Sequence, residues 1–264
     1  MTAHGMYDLT GKRIVVTGGA RGIGEAAVRA FVGAGAAVHV LDVLDEPGER
    51  VAAQATATGP GRAVFRHCDV SRRSSVADAF AAAAADLGGL DALVNVAAVE
   101  RRAPAEDIGD EDFDLTMRVN VGGTFLTNQA AFPHLRDSGG GRILNYASGA
   151  ALYPYLNGAH YSASKGAVIS WTRTVAHEWG RHNITANAVN PVIWTPMYEE
   201  SRARYTPEQL VAHEAKMADR IPLGGRSGDP DRDMAPVLVF LVSDAARFIT
   251  GQIISVDGGM VPLR

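Results

Sequence analysis

Seven short apolar runs alternate with longer segments of helical pattern along this chain. The runs cover 13–17, 36–42, 63–69, 91–97, 141–147, 183–189 and 252–258, and each reads as a strand. Helices are predicted near 22–34, 45–57, 72–87, 111–136, 159–181 and 230–243. Strands separated by helices imply βαβ crossovers, because a parallel neighbour needs a connection long enough to return to the same end of the sheet. Helices then cover both faces. The expected fold class is α/β, a doubly wound sheet of about seven parallel strands. No linker, repeat or low-complexity tract interrupts the 264 residues, so residues 1–264 are read as one domain.

Composition excludes several classes. A net charge of −4 gives no electrostatic case for nucleic acid. No stretch approaches the roughly 18 uncharged apolar residues of a membrane span. The N-terminal "MTAHGMYDLTGKR" lacks the apolar run of a signal peptide, so a cytoplasmic location is expected. The single cysteine, Cys68, excludes an intramolecular disulfide and reads as a small core residue at a strand end. No metal is expected.

One segment, 194–225, breaks the alternation. Thr206 is placed to cap a helix, Pro207 suits its first position and Gln209 completes a capping box. Leu210, Met217 and Ile221 would form its apolar stripe. Such a helix near a strand's carboxyl end serves either as a lid over a site or as rigid packing.

After the first strand comes "TGGARGIG" (17–24) and then a helix. Gly18, Gly22 and Gly24 permit a tight turn, and the helix N-terminus offers unpaired N–H groups to a pyrophosphate. The spacing is GxxxGxG rather than GxGxxG. Further on, "YSASK" sets Tyr161 and Lys165 four apart, on one helical face. With "CDV" (68–70), "LVN" (93–95), "RVNVGGTF" (118–125), "GRILNYAS" (141–148), "NPVIWTPM" (190–197) and "ITGQIISVDGG" (249–259), these stretches resemble, in order, the short-chain dehydrogenase/reductase family. The resemblance covers almost the whole chain and implies a Rossmann-type sheet.

Asp42 ends the second strand, 24 residues after Gly18. A carboxylate there accepts hydrogen bonds from the adenosine ribose and repels a 2′-phosphate, which favours NAD. Arg21 argues the other way, since in this family a basic residue before the second motif glycine often accompanies NADP. NAD is the expected cofactor. By resemblance, Ile23 belongs to the glycine turn, Asp69 and Val70 contact the adenine, and Asn95 contacts the cofactor edge. Three departures from the family pattern stand out, of which one, Ala147 for the first residue of the usual "SS" pair, leaves the second, Ser148, in its role. Ala98 closes "NVAA" where the family usually has "NNAG". Pro191 is followed directly by Val192, so a glycine is missing there; Ile193 then offers backbone groups, and Thr195 a hydroxyl, to the carboxamide.

A free phenol, with a pKa of roughly 10, is a poor base at neutral pH. A nearby ammonium and a positive nicotinamide ring would pull the Tyr161 pKa down. Ser148, 13 residues before Tyr161, matches the family's serine, which binds the substrate oxygen. Asn120, Gly122 and Gly123 are poor helix formers clustered in a long helical pattern, which suggests a kink held for a purpose. By resemblance, Asn120 there holds a water in a proton relay from Lys165.

These residues predict an NAD-dependent dehydrogenase of a secondary alcohol or its ketone. The alternatives are an NADP-dependent 3-oxoacyl-carrier reductase and a non-catalytic NAD-binding scaffold. Val99, Leu152, Tyr153, Tyr155, Leu156, Trp194, Met197 and Tyr198 are expected around a small-molecule substrate. Their character suits a cyclic, aromatic or steroid-like compound. Arg101 and Arg102 offer a carboxylate partner, although paired loop arginines are more often solvated. Phe113, Met117, Val121, Phe125, Val168 and Trp171 spread apolar surface around two long helices. With the family resemblance, this predicts a homo-oligomer, a tetramer.

Overall fold

Ile14, Val15 and Val16 are completely buried in succession, as a strand must be when helices cover both faces of its sheet. They belong to β1 (Arg13–Thr17) in the computed structural model, which describes residues 7–261. The start of the N-terminal stretch weighed as a leader peptide lies outside the described residues. The other strands are β2 (Ala37–Asp42), β3 (Arg62–His67), β4 (Ala92–Asn95), β5 (Gly141–Tyr146), β6 (Ile184–Pro191) and β7 (Ile253–Val256). They form one sheet in the order β3-β2-β1-β4-β5-β6-β7, with every neighbouring pair parallel.

Helices α1 (Gly22–Gly33) and α2 (Asp45–Thr58) follow the first two strands. They pack on one face with α9 (Ala235–Val242), burying Phe31, Val51 and Leu238. On the other face, α3 (Arg73–Leu87), α5 (Gly123–Asp137) and α6 (Ala159–Trp179) bury Phe80, Leu135 and Val175. After β3 the chain returns to place β4 beside β1. Connections on the two sides of this switch point diverge, which opens a crevice at the strand carboxyl ends.

The helix expected over 111–136 is interrupted. Between α4 (Asp110–Thr116) and α5, residues Met117–Gly122 form a π-turn. The wider turn accompanies the inward placement of Asn120, which is buried. Gly123 has its own reason: a Cβ there would come within 2.9 Å of Val70 Cγ2. Segment 194–225 contains two helices where one was expected. They are α7 (Pro196–Arg202), capped by Thr195, and α8 (Pro207–Arg220), with the expected Thr206–Gln209 capping box. The same Thr-Pro signal announces both. Ile221 is buried and Met217 lines the crevice.

The outward apolar face is narrower than the sequence suggested. Val168 is buried in the core. The Trp171 ring meets Phe125 edge-on at 5.4 Å, and its Nε1–H donates to Asn128 Oδ1 at 3.0 Å. Phe113 remains exposed, at 45%.

Candidate active site

The crevice holds a cavity of about 490 Å³. At one end lies the glycine turn. Gly18 has φ +68° and a Cβ on it would sit 2.6 Å from the Ala97 amide nitrogen; a Cβ on Gly24 would sit 2.0 Å from the Gly18 carbonyl oxygen. Both positions therefore need glycine. Gly24 thereby tightens the turn from behind, while Gly18, Arg21, Gly22 and Ile23 line the cavity. No side chain caps the N-terminus of α1, so its first amides are available to an anion. Arg21 does not reach into free space: its Nη1 donates to Glu200 on α7 at 2.8 Å.

Asp42, at the end of β2, is buried at the cavity wall. Its Oδ2 accepts from the Ala20 N–H at 3.0 Å, and its Oδ1 accepts from Val43 (2.8 Å) and Leu44 (3.1 Å). Asp69 and Val70 line the same end. Asp69 Oδ1 is held by the backbone and hydroxyl of Ser71. Burial pushes the Cys68 thiol up to about 11, which leaves it inert as a nucleophile. Asn95 is not at the cavity surface. It is buried, accepting from the Thr17 hydroxyl (3.2 Å) and donating to Asn145 Oδ1 (2.9 Å). It ties β1, β4 and β5 together beneath the site.

Ile193 makes a parallel bridge to Gly228, but the bonds run through its neighbours, Gly228 N–H to Val192 and Trp194 N–H to Gly228. In such a bridge the central residue's own N–H and C=O turn away from the partner, and Pro191, Ile193 and Thr195 line the cavity. Thr195 Oγ1 accepts from the Tyr198 N–H at 3.2 Å, capping α7.

Ser148, Tyr161 and Lys165 meet at the centre of the cavity. Ser148 follows β5 and caps a short 3₁₀ turn. Tyr161 and Lys165 occupy successive turns of α6, with Lys165 Nζ 5.8 Å from the Tyr161 ring centre. Nζ also donates to the Tyr146 carbonyl at 2.9 Å. Burial pushes the Lys165 ammonium down to about 8, partly offset by the charge of Glu100. In the chain without cofactor the Tyr161 phenol is raised; the lowering expected from the sequence involves the positive nicotinamide ring as well as Lys165. Burial pushes it up, Glu100 adds to this, and the Ser148 hydroxyl works against it. A phenolate in this wall is poorly solvated, and burial disfavours the charged form.

Asn120 does not reach the cavity surface either. Its Oδ1 accepts from the Val99 N–H (2.9 Å), and its Nδ2 donates to the Val99 carbonyl (3.0 Å) and Ser164 Oγ (3.0 Å). Val99, Tyr153, Tyr155, Met197 and Tyr198, which the sequence proposed around a substrate, all line the cavity. Trp194 instead lies outside the cavity, its Nε1–H on Glu199 (2.6 Å) and its ring under the Arg202 guanidinium (4.7 Å). Leu156 is largely solvent-exposed. The sequence also missed polar lining groups. Glu100, Ser201, Tyr205 and His213 face the cavity, together with Arg102, which the sequence had offered as a carboxylate partner. Arg102 is bound to Tyr205 and Ser201 rather than solvated.

The profile of a family described as enoyl-(acyl carrier protein) reductase matches residues 18–261. D-threitol dehydrogenase of Mycolicibacterium smegmatis is 38% identical, covering 96% of this chain and 94% of that protein. The chain belongs to the short-chain dehydrogenase/reductase family. Another relative is the 2,5-dichloro-2,5-cyclohexadiene-1,4-diol dehydrogenase of Sphingobium indicum, 36% identical over 98% of this chain and 100% of its own. The crystal structure of levodione reductase superposes with a TM-score of 0.89 at 30% identity, covering 96% of this chain and 98% of that one. As a short-chain dehydrogenase/reductase, the chain is an oxidoreductase acting on alcohols or ketones. Among the described residues, no helix is long and apolar enough to cross a membrane.

Proposed function

We propose that this chain is an NAD-dependent dehydrogenase interconverting a secondary alcohol and its ketone, with a cyclic or aromatic substrate. The observation that carries this reading is the meeting of Ser148, Tyr161 and Lys165 in one cavity with an uncapped helix N-terminus. The cradle suits a dinucleotide: glycines let the turn fold tightly against Ala97 and against itself, and the uncapped helix N-terminus lies at the cavity. The turn at Gly18–Gly22 would hold the pyrophosphate, Asp42 the adenosine ribose, Asp69 and Val70 the adenine, and Ile193 and Thr195 the carboxamide. Two features favour NAD. The Asp42 carboxylate repels a 2′-phosphate, and Arg21 is already paired with Glu200.

When bound, the oxidised nicotinamide supplies the hydride-accepting carbon and a positive charge beside the phenol. Ser148 fixes the substrate oxygen by a hydrogen bond. In oxidation Tyr161 takes the hydroxyl proton, and in reduction it returns it. Lys165 supplies the buried positive charge that favours the phenolate, and Asn120 holds the loop that carries Val99. A scaffold protein would have no use for a lysine buried beside a phenol. The unit as a whole is read as a single cytoplasmic dehydrogenase domain assembled as a homotetramer, with 194–225 over the substrate end.

NADH absorbance during a screen of cyclic and aromatic secondary alcohols, with NAD and NADP in parallel, tests the reading. Turnover with NAD is expected. Tyr161→Phe should bind NAD and lose at least about a hundredfold in turnover, the scale of a lost acid–base group. Near-normal turnover in that variant overturns the mechanism.

A further inference from the structure

The substrate end of the cavity contains a carboxylate that takes no part in the proton transfer itself. Glu100 leaves the loop after β4 and is 15% exposed, at the cavity surface. Its Oε1 accepts the Tyr155 phenolic O–H at 2.6 Å and lies 3.5 Å from Arg102 Nε. Arg102 donates to the Tyr205 hydroxyl (3.0 Å) and Ser201 Oγ (3.3 Å), and its guanidinium stacks over the Tyr155 ring at 4.7 Å. Tyr155 and Arg102 thus set the direction of the carboxylate, and Tyr205 and Ser201 in turn hold Arg102. Its Oε2 receives no hydrogen bond from the described residues. The placement also has a cost, because the Glu100 charge adds to the upward shift of the Tyr161 phenol. The same charge supports the Lys165 ammonium, and the geometry leaves one oxygen of a firmly held carboxylate free at the cavity surface, where it can accept from a ligand.

We propose that Glu100 Oε2 accepts a hydrogen bond from a second hydroxyl group of the substrate, so that the enzyme selects diols and their hydroxyketones over simple alcohols. This rests on the dehydrogenase reading above. An anionic substituent would meet Glu100 with like charge. A cationic one would join a neighbourhood in which Arg102 and Lys165 already supply two positive groups. A neutral hydroxyl donates one hydrogen bond and adds no charge. A mono-alcohol leaves Oε2 desolvated and unpaired, and sites built to bind a hydroxyl discriminate strongly against analogues that lack it.

The test compares kcat/KM for cyclohexanol, the cyclohexanediols and 2-aminocyclohexanol in wild type, Glu100→Gln, Glu100→Leu and Tyr155→Phe. Wild type should use at least one diol about tenfold or more better than cyclohexanol. That ratio should shrink in Glu100→Gln and approach one in Glu100→Leu. Calorimetry on Tyr161→Phe with NAD should show tighter diol than mono-alcohol binding, and adding Glu100→Leu should remove the difference. A wild type that oxidises cyclohexanol and every diol equally overturns the Glu100 assignment and leaves the dehydrogenase reading standing. So does a ratio unchanged in both Glu100 variants, or a preference for the amino alcohol. A wild type that oxidises no alcohol and reduces no ketone overturns both.

Discussion

Asn120 and Val99 are joined by two reciprocal hydrogen bonds, Val99 N–H to Asn120 Oδ1 at 2.9 Å and Asn120 Nδ2–H to the Val99 carbonyl at 3.0 Å. A side chain from the π-turn thereby substitutes for a strand partner and fixes the loop that presents Glu100. Asn120→Ala should lower stability by about 1–3 kcal/mol, because it strands a donor and an acceptor. It should also raise KM by loosening the substrate wall. Urea denaturation and steady-state kinetics check both, and an unchanged midpoint with unchanged KM would count against the clamp.

Asp42 has two duties, charge and anchorage. Asp42→Asn and Asp42→Ala both remove the repulsion of a 2′-phosphate, so NADP should gain on NAD in each by about tenfold or more. Asp42→Ala should in addition cost about 1–3 kcal/mol, since the Ala20, Val43 and Leu44 amides lose their acceptor. Parallel kinetics with the two cofactors, and thermal melts, separate the duties. A wild type that prefers NADP would refute the assignment.

Lys165 gives the folded protein a pH dependence of defined sign. Its pKa falls from 10.5 to about 8 on folding. Between those values the unfolded chain carries a proton that the folded chain has released, so stability rises with pH. Relative to Lys165→Met, wild type should gain about 1 kcal/mol per pH unit from about pH 8 to 10. Chemical denaturation of both proteins without cofactor measures this. A flat difference would mean that Lys165 is well solvated.

The oligomer prediction now rests on Phe113 rather than Trp171, whose ring already has Phe125 and Asn128 as partners. Light scattering should give a particle about four times the 27.8 kDa chain, as closed two-fold symmetry favours. Phe113→Glu should yield smaller species. A wild-type particle of chain mass at micromolar concentration would exclude the tetramer.

Strands and helices were legible in the sequence because each is written in local periodicity: the all-apolar Ile14–Val16 run of β1, or the Thr206–Gln209 capping box of α8. The glycine turn and the Tyr161–Lys165 spacing were legible for the same reason, since four residues on a helix fix a shared face whatever surrounds it. The π-turn was foreshadowed by Asn120, Gly122 and Gly123, each a poor choice for an ordinary helix. What Asn120 binds was not foreshadowed, because Val99, 21 residues earlier, reaches it only when the π-turn packs beside the loop after β4. Loop and lid side chains have no period to reveal their direction. Trp194 therefore turned out to lie outside the cavity, Glu100, an ordinary loop charge in the sequence, turned inward, and of the paired loop arginines Arg102 lines the cavity. The raised phenol of Tyr161 likewise belongs to the tertiary structure. Solvation depends on everything packed around a group, and a sequence motif specifies only its immediate neighbours.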